Sequence, residues 1–316
     1  MSCLPARARL EELELRVSER RAAHPGEPDD EARDAVAAMV GHDSWETLRH
    51  EVARRTVLNS CDVERARALI DQDAAWATSD MSGWCDHPCG AWPLNYVAML
   101  RLDAPRLGLT NDLSQSGAMA QLLIDAGAPI DGKPGDSETP LMTAASYGDP
   151  DVARVLIEAG ADLDAVAADN AGGVPGASAL MHAAVFGMTG VLDLLVEAGA
   201  KMRSLVEAAA AGNIGGRLTG DESPDDKLRA LIMAADHQRL DVIDELLAAG
   251  TPIDVIDPRW RRHALRLAAQ NGRADSVRHL LARGADPALE DDRGRTALDL
   301  CDGHDEVAAI LAPLTP

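Results

Sequence analysis

The sequence predicts an all-α solenoid of stacked helix pairs, and two observations lead to this fold class. A tripeptide Ala-Gly-Ala, or a close variant of it, ends an apolar run at residues 126–128, 159–161, 198–200, 249–251 and 283–285. The glycines of this signature lie 33, 39, 51 and 34 residues apart, and a period near 33 with insertions is typical of helix-pair repeats. Aromatic residues make up 3% of the chain and apolar residues 46%, which favours thin layers filled by small aliphatic side chains.

The first 60 residues are predicted to form a helical cap on the repeat array. Residues 6–23 place apolar side chains on one helical face. Residues 29–40 carry acidic residues where a second helix would begin. Ser44 is positioned to cap a third helix. Because terminal repeats need covering for solubility, we expect these helices to protect the apolar face of the first repeat.

The stretch 139–161 shows the pattern of one complete repeat. Thr139 is placed to cap a first helix, and Pro140 follows at the position where a missing N–H costs nothing. Gly148 is predicted to close that helix. A second apolar helix follows, and Gly160 is predicted to end it in a left-handed conformation.

The same pattern recurs along the rest of the chain. The further units are residues 178–200, 227–251, 263–285 and a truncated unit at 296–314. Residues 91–128 and 204–213 carry degenerate versions of it. The array therefore contains about six to eight units, some of them incomplete.

These units resemble the ankyrin repeat family, whose pattern runs roughly D-x-x-G-x-T-P-L-H-x-A-A-x-x-G and then V-x-x-L-L-x-x-G-A-D. The segments "GAPIDGKPGDSETPLMTAA" (127–145) and "GADPALEDDRGRTALDLC" (284–301) follow this pattern in register. The resemblance covers about residues 90–316 well and extends weakly back to about residue 44. One departure is the usual histidine of the first helix, which is replaced by Met142, Met181, Ile232, Arg266 and Asp299. Since that histidine normally ties the turn to its neighbour, we expect less rigid turns here.

The resemblance implies a non-enzymatic protein–protein interaction module with no catalytic residue, cofactor or metal. In this repeat plan the first helices line a concave groove, and finger loops project from its edge. The array is expected to span residues 61–316, with insertions near 101–116, 165–177 and 215–226. The second of these is predicted to be a glycine-rich finger and the third a surface loop.

The resemblance also implies a partner-binding strip, because the two residues after each alanine pair point into the groove beside the fingers. Ten residues make up this strip: Ser146, Tyr147, Val185, Phe186, Asp236, His237, Arg259, Trp260, Gln270 and Asn271. The chain has one Phe, two Tyr and five Trp, and such aromatic residues are the usual anchors of binding energy. The alternative is that Tyr147 and Phe186 pack between adjacent repeats.

The charge of the chain limits the class of partner. A formal net charge of −22 and a pI near 4.7 argue against nucleic acid and anionic membranes, whose phosphates need Lys and Arg. A protein with a basic or neutral surface is the natural complement, although the charge can also simply keep the protein soluble. Arg259, Arg261, Arg262 and His263 form a local positive exception, which is a candidate docking point for an acidic segment.

The alternative function is an enzyme or a metal-dependent sensor on the same scaffold. Cys85, His87 and Cys89 lie within five residues and could offer zinc three ligands, with Cys61 as a fourth. A second possible location is a pocket under the 165–177 finger and the 215–226 loop. The non-functional interpretation of the cysteine cluster is a tight turn that happens to contain thiols.

The sequence shows no other catalytic signature. It contains no phosphate-binding loop in a strand-to-helix setting and no nucleophile elbow. His182 with Asp193, or Asp236 with His237, could form an acid–base pair, but nothing in the sequence brings either pair together. His182 precedes an alanine pair and is better explained as a core histidine, whereas Asp236 and His237 are expected to be more exposed.

The cellular compartment is expected to be the cytoplasm. No apolar run approaches the roughly 18–20 residues of a membrane helix, and the first residues carry charges where a signal peptide would be apolar. The cysteines are odd in number and scattered, at Cys3, Cys61, Cys85, Cys89 and Cys301. A secreted scaffold would use paired cysteines densely.

Overall fold

The computed structural model describes residues 8–81, 91–106 and 113–314, and of residues 102–106 only the backbone. These described residues form 17 α-helices and no β-strand, so the all-α prediction is confirmed. The helices are α1 (Leu10–Ala23), α2 (Asp29–Met39), α3 (Trp45–Ser60), α4 (Val63–Gln72), α5 (Ala75–Thr78), α6 (Pro93–Arg106), α7 (Ser116–Asp125), α8 (Pro140–Tyr147), α9 (Pro150–Glu158), α10 (Ala179–Val185), α11 (Thr189–Glu197), α12 (Leu205–Ala211), α13 (Pro224–Asp236), α14 (Leu240–Ala248), α15 (Ala264–Gln270), α16 (Ala274–Ala282) and α17 (Asp305–Leu311).

The chain divides into two compact units, residues 1–176 and residues 177–316. In the first unit α6 packs on α8 and α7 packs on α9, so equivalent helices of consecutive pairs lie side by side. In the second unit α12 packs on α13 and α13 packs on α15 in the same way. This is the arrangement that stacked helix pairs require. The predicted boundary between the N-terminal cap and the repeat array, at residues 60 and 61, stays a prediction.

The N-terminal helices enclose a small apolar core. Leu13 and Val17 of α1 are 4% and 3% exposed, and they pack with Val36 of α2 and Leu48 of α3. The hydroxyl of Ser44 accepts a hydrogen bond from the backbone N–H of Thr47 at 3.2 Å, which confirms the predicted cap of α3. The apolar face and the cap are local features, and for that reason the sequence pattern predicts both.

A buried ionic cluster joins α3 to the chain that follows α5. Glu51 accepts hydrogen bonds from Arg54 at 2.7 Å and from Arg55 at 2.8 Å. Arg54 also donates to the carbonyl of Asp80 at 2.7 Å. All three charged side chains are at most 5% exposed, so each depends on its partners for the hydrogen bonds that water would otherwise supply.

The α8–α9 pair forms as the sequence predicts. The Thr139 hydroxyl accepts a hydrogen bond from the Met142 N–H at 3.2 Å, and Asp149 caps α9 by accepting from the N–H groups of Asp151 and Val152. Gly160 follows α9 with a φ of 89°. The left-handed conformation that stops the helix is therefore confirmed, and glycine adopts it without a Cβ penalty.

Paired small residues let consecutive first helices approach closely. Ala144 and Ala145 of α8 are fully buried. The equivalent alanine pairs in the second unit are Ala183 and Ala184, Ala234 and Ala235, and Ala268 and Ala269, all with 0% exposure. Packing through alanine leaves little room for adjustment, because interiors are packed as densely as organic crystals.

The last unit differs from the predicted helix pair. Its first helix is reduced to a 3₁₀ turn at Leu298–Leu300. Only six residues separate Thr296 from Gly303, whereas eight separate Thr139 from Gly148. The shorter span holds less than two α-helical turns, and the side chain of Asp299 accepts hydrogen bonds from the N–H and hydroxyl of Thr296 instead.

Parts of two predicted insertions are helical. Helix α6 continues to Arg106, so residues 101–106 of the first insertion are helical, and residues 107–112 lie outside the described residues. Helix α13 begins at Pro224 with Ser223 as its cap, so the loop before it ends at residue 223. The Asp225 and Asp226 carboxylates in the first turn favour a helix start there.

Candidate partner-binding surface

The predicted strip divides between the two units. Ser146 and Tyr147 belong to the first unit, at the end of α8, and the other eight residues belong to the second. In the second unit Phe186 is 39% exposed at the end of α10. Arg259 and Gln270 are also exposed, whereas Val185, Trp260 and Asn271 are half-buried.

The expectation that Asp236 and His237 are exposed is wrong. They are 1% and 2% exposed, and in the first unit Ser146, at the position equivalent to Asp236, is buried at 8%. For Asp236 and His237 the reason is that residues of neighbouring repeats contact both side chains. These three residues therefore offer little surface to a partner.

Asp236 is the centre of a polar network between consecutive repeats. One of its carboxylate oxygens accepts a hydrogen bond from the Asn271 side chain at 2.7 Å and lies 3.4 Å from Nε of Arg273. Arg273 in turn donates to the carbonyl of Gly187 at 2.7 Å. Gly187 has a φ of +73°, and a Cβ there would lie 2.9 Å from Asp236 Oδ2. The network thus packs against the turn that carries Phe186.

His237 joins the same pair of repeats. Its Nε2 lies 2.9 Å from the Ala184 carbonyl and its Nδ1 lies 2.8 Å from the Thr189 hydroxyl. Because a carbonyl only accepts, Nε2 carries the proton and Nδ1 accepts from Thr189. Burial lowers the pKa of His237 below its ordinary value, so the ring is neutral at pH 7 and acts as a structural link.

A tight turn holds the finger at residues 257–263. The Asp257 N–H donates to the Arg262 carbonyl at 2.9 Å, and the Arg261 N–H donates back to the Asp257 carbonyl at 2.8 Å. The Asp257 carboxylate accepts from the N–H groups of Arg259 and Trp260 and pairs with Arg229 at 3.0 Å. These bonds fix the direction in which the finger side chains leave the turn.

Arg262 connects this finger to the end of α10. Its Nη1 donates to the Val185 carbonyl at 2.8 Å, one residue before Phe186. Its guanidinium lies 5.8 Å from the centre of the Trp260 ring, and that of Arg229 lies 5.6 Å from the same ring. Trp260 is therefore held by two cation–π contacts, and Phe186, Trp260 and Arg262 belong to one surface.

One residue of the predicted positive patch, His263, carries no positive charge. Burial lowers the pKa of His263 to about 4, so the ring is neutral at pH 7. Its Nδ1 accepts from the Arg266 N–H and caps α15. Arg261 pairs with Asp292 of the next finger. Arg259 and Arg262 contact no carboxylate among the described residues.

Arg266 is a residue that the predicted site omits. It lies in the first turn of α15, it is 4% exposed, and its Nη1 has no hydrogen-bond partner within the described part of the chain. The sequence offered one signal for it, since it replaces the usual histidine of the first helix. Burial lowers the pKa of the Arg266 guanidinium despite the nearby carboxylates of Asp291 and Asp292.

Among the described residues, the side chains proposed for chemistry are not assembled into a site. Cys85, His87 and Cys89 lie outside the described residues. Elsewhere in the described chain, no three His, Cys, Asp or Glu side chains are placed to hold a metal ion. His182 is fully buried as expected, with Nδ1 2.9 Å from the Ser178 carbonyl, while Asp193 pairs with Arg239. None of the helices described is long and apolar enough to cross a bilayer.

Comparisons with known proteins identify the repeats. A family model described as ankyrin repeats (3 copies) matches residues 112–205, and one described as ankyrin repeats (many copies) matches residues 246–301. Protein fem-1 homolog A from Danio rerio is 48% identical over 48 residues, which are 15% of this chain and 8% of that protein. The chain therefore spans less than a tenth of the length of that curated relative.

Among solved structures, the human ASB11 ankyrin repeat domain is similar over 69% of this chain and 97% of that chain, with 21% identity and a TM-score of 0.35. The two family models and the all-α helix pairs agree with each other. Ankyrin repeats generally mediate protein–protein interactions, and their fold is typically a non-enzymatic scaffold. Residues 112–205 and 246–301 are therefore ankyrin repeats, and the protein is an ankyrin repeat protein.

Proposed function

We propose that the chain is a non-enzymatic module that binds a partner protein through the groove-facing ends of its first helices and through its finger loops. The observation that carries the proposal is the exposure of Phe186. It is the single Phe of the chain, it is 39% exposed, and Arg262 ties the residue before it to the finger of Trp260. An exposed aromatic side chain on a well-fixed turn is the kind of anchor that dominates protein interfaces.

The anchor is supported on both sides by rigid contacts. The Asp236 network packs against Gly187, and the Asp257 turn fixes Trp260. Preorganised side chains lose less conformational entropy on binding than mobile ones do. We therefore propose that Phe186, Arg259, Trp260 and Arg262 form the partner-binding surface of the second unit, which we call the aromatic–arginine surface. Tyr147 is proposed as the corresponding anchor of the first unit.

The class of partner follows from the charge. A chain with a net charge of −22 attracts a basic or neutral protein surface and repels nucleic acid and anionic membranes. We propose such a protein partner, in the reducing cytoplasm. The proposal about the compartment is supported by Cys301, which is a buried free thiol.

The test is a partner-binding measurement with matched variants. The tagged full chain captures partners from a lysate of the source cells, and the dissociation constant of a purified partner is then measured for wild type, Phe186→Ala and Tyr147→Ala. We expect Phe186→Ala to weaken binding by about 2 kcal/mol, or roughly 30-fold. Leu15→Ala is the control, because Leu15 of α1 is 60% exposed and its truncation is expected to leave affinity unchanged.

Thermal unfolding of the same variants distinguishes partner binding by Phe186 and Tyr147 from the alternative role, which is packing between adjacent repeats. Because Phe186 is 39% exposed and its ring stacks on His182, its truncation is expected to lower the melting temperature less than truncation of a fully buried phenylalanine would, and to lower affinity as well. A lower melting temperature with unchanged affinity would support packing between repeats instead. Unchanged affinity in both the Phe186 and the Tyr147 variants would overturn the proposed surface.

A further inference from the structure

We propose that Arg262 of the second unit binds a carboxylate of a short partner segment, and that an apolar side chain of the same segment packs on Phe186 and Trp260. The inference rests on the proposed function, because it names the chemistry that the aromatic–arginine surface recognises. It adds a local acidic segment to a partner whose surface as a whole is basic or neutral.

The contacts of Arg262 bring these three side chains to one place. Its Nη1 donates to the Val185 carbonyl at 2.8 Å. Because the Val185 carbonyl carbon is bonded to the backbone nitrogen of Phe186, this Nη1 lies within about 6 Å of the Phe186 Cα. The same guanidinium lies 5.8 Å from the centre of the Trp260 ring. One arginine is therefore adjacent to both aromatic residues of the surface.

Both aromatic side chains are supported from within the repeat and still offer apolar area. Phe186 is 39% exposed, and its ring stacks on the fully buried His182 with centroids 6.4 Å apart. Trp260 is half-buried, and the guanidinium of Arg229 lies 5.6 Å from the centre of its ring. An apolar side chain of a partner could pack on these rings without moving them.

Arg262 differs from the other half-buried arginines of its unit, because it has no carboxylate of its own. The half-buried arginines of the second unit are Arg229, Arg239, Arg262 and Arg273. Three of them form an ion pair with an aspartate. Within the described chain, Arg262 bonds only to a neutral carbonyl. Its charge is therefore the open one on this surface.

Asp236 does not supply the missing partner. It acts on Arg262 through its charge, but no ion pair joins the two side chains, and Asp236 Oδ1 accepts from Asn271 at 2.7 Å and lies 3.4 Å from Nε of Arg273. Burial lowers the pKa of Arg262, and the charge of Asp236 offsets only part of this effect. A further carboxylate would stabilise the cation, since hydrogen bonds between charged groups are the strong ones.

The unused donors of Arg262 can be reached from solvent. A guanidinium has five N–H donors, and one of its nitrogens is engaged by the Val185 carbonyl. No nitrogen of Arg262 is both buried and without a hydrogen-bond partner, in contrast to Nη1 of Arg266. The free nitrogens of Arg262 are therefore open, and a carboxylate can approach them.

The arrangement fits one acidic side chain of a peptide better than it fits nucleic acid. The second guanidinium beside Trp260 belongs to Arg229, which Asp257 already pairs at 3.0 Å. This leaves one open cation next to apolar rings, whereas nucleic acid binding needs many cations along a backbone. A polyanion would also meet the net charge of −22 of the chain.

The first test is a peptide selection on the full chain. A library of short random peptides displayed on phage is selected in parallel on wild type and on Arg262→Gln. We expect wild type to enrich peptides in which Glu or Asp lies close to a large apolar residue, and Arg262→Gln to lose the enrichment of the acid. No enrichment of acidic residues on wild type, or the same enrichment on both proteins, would overturn the inference.

A double-mutant cycle then measures the contact. The most enriched peptide is synthesised with glutamate and with glutamine at the acidic position, and fluorescence anisotropy gives the dissociation constants. We expect the glutamine to weaken binding to wild type about tenfold, less so at high salt, and to leave binding to Arg262→Gln unchanged. An equal effect of the glutamine on both proteins would contradict a contact with Arg262.

Two further variants serve as controls. Arg217→Gln removes an exposed arginine of the same unit whose Nη2 also donates to a backbone carbonyl, that of Met202 at 2.8 Å, and it is expected to leave the preference for glutamate unchanged. An equal loss in Arg217→Gln would show a general charge effect and overturn the assignment. If Arg262→Gln does not fold by circular dichroism, Arg262→Lys takes its place. We expect it to weaken only the glutamate peptide, because an ammonium group lacks the paired donors of a guanidinium.

The remaining outcomes separate this inference from the proposed function. A single-stranded oligonucleotide that binds more tightly than the peptide, with the same dependence on Arg262, would assign the surface to phosphate and overturn the inference. If the peptides show no coupling to Arg262 while Phe186→Ala still weakens a purified partner, the carboxylate contact is wrong and the proposed function stands. Coupling to Arg262 without an effect of Phe186→Ala on the partner would remove Phe186 as an anchor and support the carboxylate contact.

Discussion

At the scale of single residues, buried polar side chains hold the second unit together. They occupy positions at which the ankyrin pattern predicts side chains that face the groove. Asp236 and His237 each contact residues of neighbouring repeats. Such groups stabilise the fold only while their partners remain, since removal of one partner leaves a buried charge or donor uncompensated. Their role is therefore to fix adjacent repeats to one another, and that role can be measured.

We predict that Asp236→Ala lowers the free energy of unfolding by about 3 kcal/mol, because Arg273 and Asn271 lose their shared acceptor. Urea denaturation of the full chain gives this value. Asp241→Ala is the matched control, since Asp241 is an exposed aspartate on α14 and is expected to change stability by less than about 0.5 kcal/mol. Similar small effects of both substitutions would mean that the network does not stabilise the unit.

At the scale of the helix, the first helices α8, α10, α12, α13 and α15 each begin at a side-chain cap and are followed by a left-handed residue. Thr139, Ser178 and His263 occupy the same cap position before α8, α10 and α15. Gln238 has a φ of 57° where the other units have glycine, so the turn geometry persists without it. His263 is the unusual cap, because its side chain titrates.

The pH dependence of stability follows from the titration of that cap. Burial lowers the pKa of folded His263 to about 4 from its ordinary 6.5, so between these values the unfolded chain binds a proton that the folded chain does not. Stability is therefore complete above pH 6.5 and falls as the pH falls towards 4, by about 3 kcal/mol in total. The lowered pKa of His237 acts in the same direction.

We predict that His263→Thr flattens this pH dependence while keeping the cap, because Thr139 caps α8 in the equivalent position. Urea midpoints measured at neutral pH and near pH 5 give the slope. His50→Gln removes an exposed histidine of α3 and is expected to leave the slope unchanged. An identical slope in wild type and His263→Thr would show that His263 does not cause the acid sensitivity.

At the scale of the whole molecule, the chain consists of two compact units. In the second, α10 packs on α11 and α12, and α12 packs on α13, so the core continues from one helix pair to the next. In repeat proteins, stability is roughly a sum of such nearest-neighbour contacts. The second unit contains a full set of them, and the aromatic–arginine surface lies within it.

We predict that the fragment of residues 177–316 folds by itself, with a helical circular dichroism spectrum and a cooperative thermal transition. A fragment of residues 213–316 is the control. It lacks α12, which covers the apolar face of α13, and it is expected to melt at a lower temperature or without cooperativity. Equal behaviour of the two fragments would show that α10–α12 add nothing to the stability of the unit.

The repeat architecture could be predicted from the sequence because it depends on neighbours in the chain. The glycine period, the caps at Ser44 and Thr139, and the left-handed Gly160 all follow from interactions within a few residues. The same local character explains the error at the last unit, where a chain too short for two turns forms only a 3₁₀ turn.

The sequence by itself thus determined the family, the helix pairs and the presence of one arginine-rich finger. Only the tertiary structure decided which residues that finger meets. Arg262 contacts Val185, 77 residues away, and His237 contacts Ala184, 53 residues away. Burial and charge pairing depend on such distant contacts, which no local pattern encodes. For that reason Asp236, His237 and His263 turned out to be buried, and Arg266 was recognised as an unpaired buried cation only in the folded protein.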